Sequence, residues 1–102
     1  MLFNADSIKK ILQGRKTQTR RPHTLTFKEG HIYQVMMRYS PTIYARIQIT
    51  KRYQQPLGAI TEEEIHKEGF NTLEEFKGAW TEIYLTWNPE QIITAYEFQV
   101  IS

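Results

Sequence analysis

A small α+β fold, a mixed sheet or open barrel with helices flanking it, is what this chain predicts, on three observations. The apolar residues recur every third or fourth position over 5–13 and 72–85, but every second position over 42–53 and 92–101. Two Thr-x-x-Glu patterns, Thr61 to Glu64 and Thr72 to Glu75, each open a helix with a capping box. The resulting order is helix, strands, two helices, strand. It runs without repeat, linker or low-complexity tract through 102 residues, enough for one core and a single domain spanning 1–102.

The first helix covers 5–13. Asp6 or Ser7 is placed to cap it, Ile8, Ile11 and Leu12 form its apolar stripe, and Gly14 suits the left-handed position beyond its end. Thr17 to Arg21 is a strand that Pro22 stops. After a turn at Glu29-Gly30, Ile32 to Met37 and Thr42 to Tyr53 read as strands joined through Ser40-Pro41, with Ile43, Ala45, Ile47 and Ile49 on one core-facing side. The second helix is short and follows Thr61. The third runs from Thr72 to Tyr84 or Leu85 with Leu73, Phe76, Trp80 and Tyr84 as its buried stripe, and Trp87-Asn88-Pro89 breaks it. Ile92 to Ile101 closes the sheet.

Cysteine is absent, which excludes disulfides and thiolate metal sites and fits a reducing cytoplasm. His23, His31 and His66 lack the close spacing of metal ligands, so neither a metal nor a cofactor is expected. No apolar run approaches the roughly 20 residues of a bilayer span, and the expectation is a soluble, cytoplasmic protein without membrane contact. The net charge of +2 hides a division: residues 1–55 carry eleven Lys/Arg against two acids, and residues 56–102 carry two against nine. Either the halves neutralise each other across the fold, or a basic side faces an anionic or polar partner.

The densest chemistry lies in Gly14-Arg15-Lys16-Thr17-Gln18-Thr19-Arg20-Arg21. On an extended segment Thr17, Thr19 and Arg21 share one side while Gln18 and Arg20 take the other. Lys16 sits in the preceding turn and is free to reach either side. In the plainest reading Arg15 and Lys16 complement the negative end of the first helix and the arginines form a solvated strand face. The alternatives are phosphate binding, RNA binding or nucleophilic chemistry. A P-loop is excluded, because the glycine-rich spacing is missing and the helix precedes the motif. Glu68 closes the second helix, where a carboxylate opposes the helix dipole; a nearby Lys16 would satisfy it. Tyr84 and Trp87, near the end of the third helix, are the aromatic residues best placed to stack a nucleobase.

Taken together, Gly14-x-Lys16-x-x-Thr19-x-Arg21, Glu29-Gly30-His31-Ile32-Tyr33, Glu68-Gly69-Phe70 and Tyr96-Glu97-Phe98 resemble the ASCH domain superfamily, over essentially the whole chain. The resemblance implies a PUA-like fold: a barrel-like core, helices around it, and a cleft lined by the lysine-threonine-arginine element and the downstream glutamate. It also implies one of two functions. Small single-domain members are amidohydrolases that deacetylate N4-acetylcytidine with a lysine, a threonine and a glutamate, which fall here on Lys16, Thr19 and Glu68. Arg21, Arg20, Thr17, Tyr84 and Trp87 would then contact the substrate. Alternatively the domain binds single-stranded RNA without catalysis, with Arg15, Lys16, Arg20 and Arg21 on phosphates. In the enzymatic version Thr19 is the nucleophile, and either neutral Lys16 or Glu68 is the base.

Overall fold

The computed structural model describes residues 1–22 and 26–102; His23 lies outside the described residues. Its elements are α1 (Ala5–Leu12), β1 (Gln18–Pro22), β2 (Ile32–Val35), β3 (Ala45–Pro56), a 3-10 turn (Leu57–Ala59), α2 (Glu62–Lys67), α3 (Leu73–Tyr84) and β4 (Ile92–Val100). The fold class is α+β as predicted. The four strands form one antiparallel sheet in the order β1-β4-β3-β2. Parallel pairing, which a mixed sheet would have in quantity, is confined among the described residues to an isolated bridge between Leu2 and Met36.

That bridge explains how the sheet closes. Phe3 N–H donates to Met36 C=O at 2.9 Å, so the N-terminal segment lies beyond β2, at the opposite edge from β1. Yet Arg21 of β1 donates from Nη2 to Leu2 C=O at 2.7 Å, and its guanidinium lies 4.7 Å over the Phe3 ring. With strands about 4.8 Å apart, the two edges of a flat sheet would be about 19 Å from each other, beyond the reach of one side chain. The sheet is therefore curled, and Arg21 ties its ends.

Two cores follow from the curl. Inside it, Phe3, Ile8 and Ile11 pack on Val35, Ala45, Ile47, Ile49, Tyr96 and Phe98. On the outer face, Phe76 and Trp80 of α3 pack on Leu57, Ile93 and Ala95. Because β4 is buried on both faces through Ile93, Thr94, Ala95 and Tyr96, it is the spine of the molecule.

Several sequence expectations change in detail. The cap of α1 is Asn4, whose side chain accepts from Ser7 N–H at 2.8 Å, not Asp6 or Ser7. Leu12 points to solvent, since α1 needs only Ile8 and Ile11 to cover the curl. Gly14 does take the left-handed conformation, with φ +75. The third strand begins at Ala45, leaving Ile43 exposed, and runs to Pro56 because β4 continues to pair it that far. Pro22 ends β1 from within, as its last paired residue opposite Ile93. The capping box of α2 is complete. In α3 Thr72 caps, but the Glu75 carboxylate accepts from the Thr72 hydroxyl. Leu73 is exposed, and the buried stripe is Phe76 and Trp80 with Tyr84 at its half-buried margin.

Leu85 ends α3 in the left-handed region at φ 71, with a side chain 81% exposed. A branched residue there is strained and packs on little. Leu85→Gly is expected to raise stability by about 0.5–1 kcal/mol, the relief of a side chain in the left-handed region net of glycine's backbone entropy; urea denaturation of both proteins measures it.

Candidate functional site

Strand alternation sends Gln18 and Arg20 to the outer face, opposite Glu97 and Ala95, and Thr19 and Arg21 to the inner face, opposite Tyr96 and Thr94. Lys16 precedes the strand in a turn pinned by Arg15 and Lys16 N–H groups on Lys10 C=O and by Thr17 N–H on Lys67 C=O at 2.8 Å. The last contact brings the end of α2 against the start of β1. Gly69, at φ +91, makes that approach feasible: a Cβ there would stand 2.9 Å from Lys10 Cδ and 3.4 Å from Lys16 Cβ.

The docking delivers Glu68 between two cations. Lys16 Nζ lies 3.0 Å from Glu68 Oε1, and Arg20 Nη1 lies 3.0 Å from Oε2. The lysine also donates to Glu68 C=O at 3.3 Å, so it caps α2 and relieves the clash of a carboxylate with the helix dipole. All three residues are buried, Glu68 to 3% exposure. Burial pushes the Lys16 pKa down; the charge and hydrogen bond of Glu68 oppose the shift, Arg21 and Lys10 add to it, and the net direction is down.

A second layer surrounds Arg20. Its Nη2 meets Glu64 Oε2 at 2.6 Å and Gln55 Oε1 at 2.7 Å, and its Nη1 donates to Gln18 Oε1. The Tyr53 hydroxyl donates to Glu64 and accepts from Gln18 Nε2 at 2.8 Å. Burial alone would raise the Glu64 pKa, but hydrogen bonds from Tyr53 and from Thr61, with the charge of Arg20, bring it below the usual carboxylate value. Arg20 Nε is buried without a partner, an omission that costs about 1–3 kcal/mol.

On the inner face Arg21 Nε donates to Thr19 Oγ1 at 3.2 Å. Burial lowers the Arg21 pKa, although an arginine stays charged. Burial raises the pKa of Tyr84, whose phenol also feels the charges of Arg21 and Glu68. Lys16 and Thr19 are not hydrogen-bonded to each other; the lysine is engaged by Glu68, and the hydroxyl by Arg21.

The structure thus joins Lys16, Glu68 and Arg20, joins Thr19 with Arg21, and leaves Tyr84 within electrostatic range of both groups. Thr17 is exposed beside them, lining with Lys16, Ile11 and Phe98 a cleft of about 370 Å³. Trp87 packs elsewhere, its ring 6.0 Å from Phe76 with Lys77 above it. Glu64, Tyr53, Gln55 and Gln18 were missed from the sequence. Glu64 had a sufficient role as the third helical residue of a capping box, which its Oε1 does fill by accepting from Thr61 N–H at 2.9 Å. The available signal was Arg20 itself, since an arginine alternating onto a core-facing side requires acids opposite it.

No family model and no curated protein sequence matches the chain. Its architecture does match solved structures. An ASCH domain from Lactobacillus crispatus superposes with a TM-score of 0.82 at 18% identity, over 98% of this chain and 77% of that one. The fold is that of an ASCH domain. An ASCH protein variant from Zymomonas mobilis gives 0.70 at 13% identity, over 99% and 68% of the two chains. A DUF984 protein from Enterococcus faecalis gives 0.71 at 22%, over 92% and 66%. Within this ASCH fold the described residues include no helix long and apolar enough to cross a membrane.

Replacing Glu68 by Gln keeps the shape of the site but leaves Lys16 and Arg20 facing each other without the charge between them. Glu68→Gln is expected to lose on the order of 3 kcal/mol of stability, read from the urea midpoint at pH 7.

Proposed function

We propose that the protein is an amidohydrolase that deacylates a modified nucleoside such as N4-acetylcytidine. The observation that carries this reading is the buried pair of Glu68 with Lys16, the lysine carried on the same short segment as Thr19, whose oxygen already receives a hydrogen bond from Arg21. A donor on Thr19 Oγ1 stabilises the alkoxide character that develops as the hydroxyl attacks. Both Glu68 oxygens are already engaged by donors, which leaves Lys16, once it has lost its own proton, as the favoured proton acceptor.

In the proposed reaction neutral Lys16 takes the Thr19 hydroxyl proton as Oγ1 bonds to the acyl carbon. The lysine then gives that proton to the departing exocyclic amine as the C–N bond breaks. Water hydrolyses the threonyl ester, releasing the carboxylic acid and restoring Thr19. Substrate entry must bring Thr19 within reach of Lys16, a contact that enzymes commonly tighten only on binding.

The rival reading, a non-catalytic RNA-binding module, needs Arg15, Lys16, Arg20 and Arg21 on phosphates. Lys16 and Arg20 are buried and paired with carboxylates, and Arg21 is turned to Leu2, which leaves Arg15 alone fully displayed. Such burial suits a reaction centre better than a phosphate-binding surface.

Release of cytidine from N4-acetylcytidine tests the proposal. Wild type is expected to turn over and Thr19→Val to lose at least about 100-fold, with its circular dichroism unchanged. Because the base must be deprotonated, kcat/KM is expected to rise with pH through a midpoint below the roughly 10.4 of an ordinary lysine. A folded wild type without turnover, but with salt-sensitive binding of single-stranded RNA, would decide for the rival.

A further inference from the structure

We propose that Arg20 is a positioning residue of the reaction centre: held from behind by Glu64, Gln55 and Gln18, it fixes one oxygen of Glu68 and so leaves Lys16 only the other. The inference rests on the reading above and extends it to a residue outside the Lys16, Thr19 and Glu68 set.

The geometry is that of a clamp. Glu68 has one carboxylate and two buried cations on it, one per oxygen, each at 3.0 Å. A carboxylate facing Lys16 alone could rotate and offer either oxygen or both. With Oε2 tied to Arg20 it offers Oε1. Arg20 in turn cannot follow Glu68 toward the lysine, because its other nitrogen is anchored 2.6 Å from Glu64 Oε2 and 2.7 Å from Gln55 Oε1. Glu64 is fixed by the Thr61 cap on one oxygen and by Tyr53 on the other. Rigid elements therefore stand behind every member: β1 carries Gln18 and Arg20, β3 carries Tyr53 and Gln55, and α2 carries Glu64 and ends at Glu68.

Stability alone gives a poor account of this cluster. Four buried or half-buried ions with an unpartnered Arg20 Nε could be replaced by apolar side chains without loss to the core. What they supply is a carboxylate shared between two cations. Sharing weakens the hold of Glu68 on the lysine proton. The other groups acting on Lys16 are Lys10 from α1 and Arg21 from β1, both disfavouring the charged form; Tyr84 of α3 acts on Arg21 and Glu68.

The test compares wild type with Arg20→Met and Arg20→Lys by two readouts. In lysine side-chain 13C NMR, with the Lys16 resonance assigned by its loss in Lys16→Met, Arg20→Met is expected to raise the Lys16 midpoint by about one pH unit or more. On N4-acetylcytidine the pH–rate profile should move up by the same amount, with kcat lowered at pH 8 and KM within about twofold of wild type. Arg20→Lys keeps the charge but lacks a fork that spans both Glu68 and Glu64. It should fold and fall between the two. An unchanged Lys16 midpoint and an unchanged kcat in a folded Arg20→Lys or Arg20→Met would overturn the proposal and leave Arg20 a structural residue. If wild type deacylates nothing while the midpoint still moves, the positioning stands and the amidohydrolase reading is what fails.

Discussion

The contact on which this molecule depends is the approach of α2 to the start of β1, where Glu68 enters between Lys16 and Arg20. It joins residues 52 and 48 positions apart in the chain. Neither cation would be tolerated in this interior without the carboxylate, and the carboxylate would be ill placed at a helix end without the ammonium that also caps Glu68 C=O. Gly69 permits the approach, and Thr17 N–H on Lys67 C=O sets its register. Local folding, burial and chemistry therefore meet in one ion triad.

That triad divides the roles of β1 between its two faces. Gln18 and Arg20 look outward toward β3 and α2, and form a polar network that holds Glu68. Thr19 and Arg21 look inward and hold each other. Lys16, just ahead of the strand, is bonded to the outer group and electrostatically exposed to the inner one, since Arg21 is among the groups lowering its pKa. The start of β1 thereby brings a nucleophile candidate, Thr19, and a base candidate, Lys16, into one short segment, each engaged by its own partner.

Much of this was legible in the sequence, and the exceptions have physical causes. The period changes located α1, β3, α3 and β4, because each buries one face and the periodicity records it, and the capping pattern at Thr61 located α2. Ile43 misled, because an apolar residue next to an alternating run looks like part of it, while pairing ends where the β2 partner does, at Val35 opposite Ala45. Leu73 misled because it falls on the helical stripe but lies in the first turn, where α3 has not yet reached the sheet. The pairing of Lys16 with Glu68 was legible as one of two readings, the other a solvated carboxylate, from the cost of a carboxylate at a helix end. The second layer was not. Tyr53, Gln55 and Glu64 each have a complete local role as strand or capping residues, and only the pairing register, which sets Arg20 and Tyr53 on either side of Ala95, and the docking of α2 bring them onto Arg20.

Arg21 shows how closely closure and chemistry are bound together here. The same guanidinium bonds Leu2 C=O, covers Phe3 and donates to Thr19 Oγ1. It therefore ties the two edges of the curled sheet and presents the threonine oxygen. Removing it would open the inner core, where Phe3 packs with Ile8, Ile11 and Phe98, at the same time as it released Thr19. Loss of activity in an Arg21 variant consequently says little about catalysis. Thr19 itself is separable: its Oγ1 accepts from Arg21 and makes no other hydrogen bond among the described residues, so exchanging its hydroxyl for a methyl leaves the closing bond from Arg21 to Leu2 in place. Arg21 is thus an uninformative residue to mutate, and the small hydroxyl of Thr19 is the one that isolates chemistry from fold.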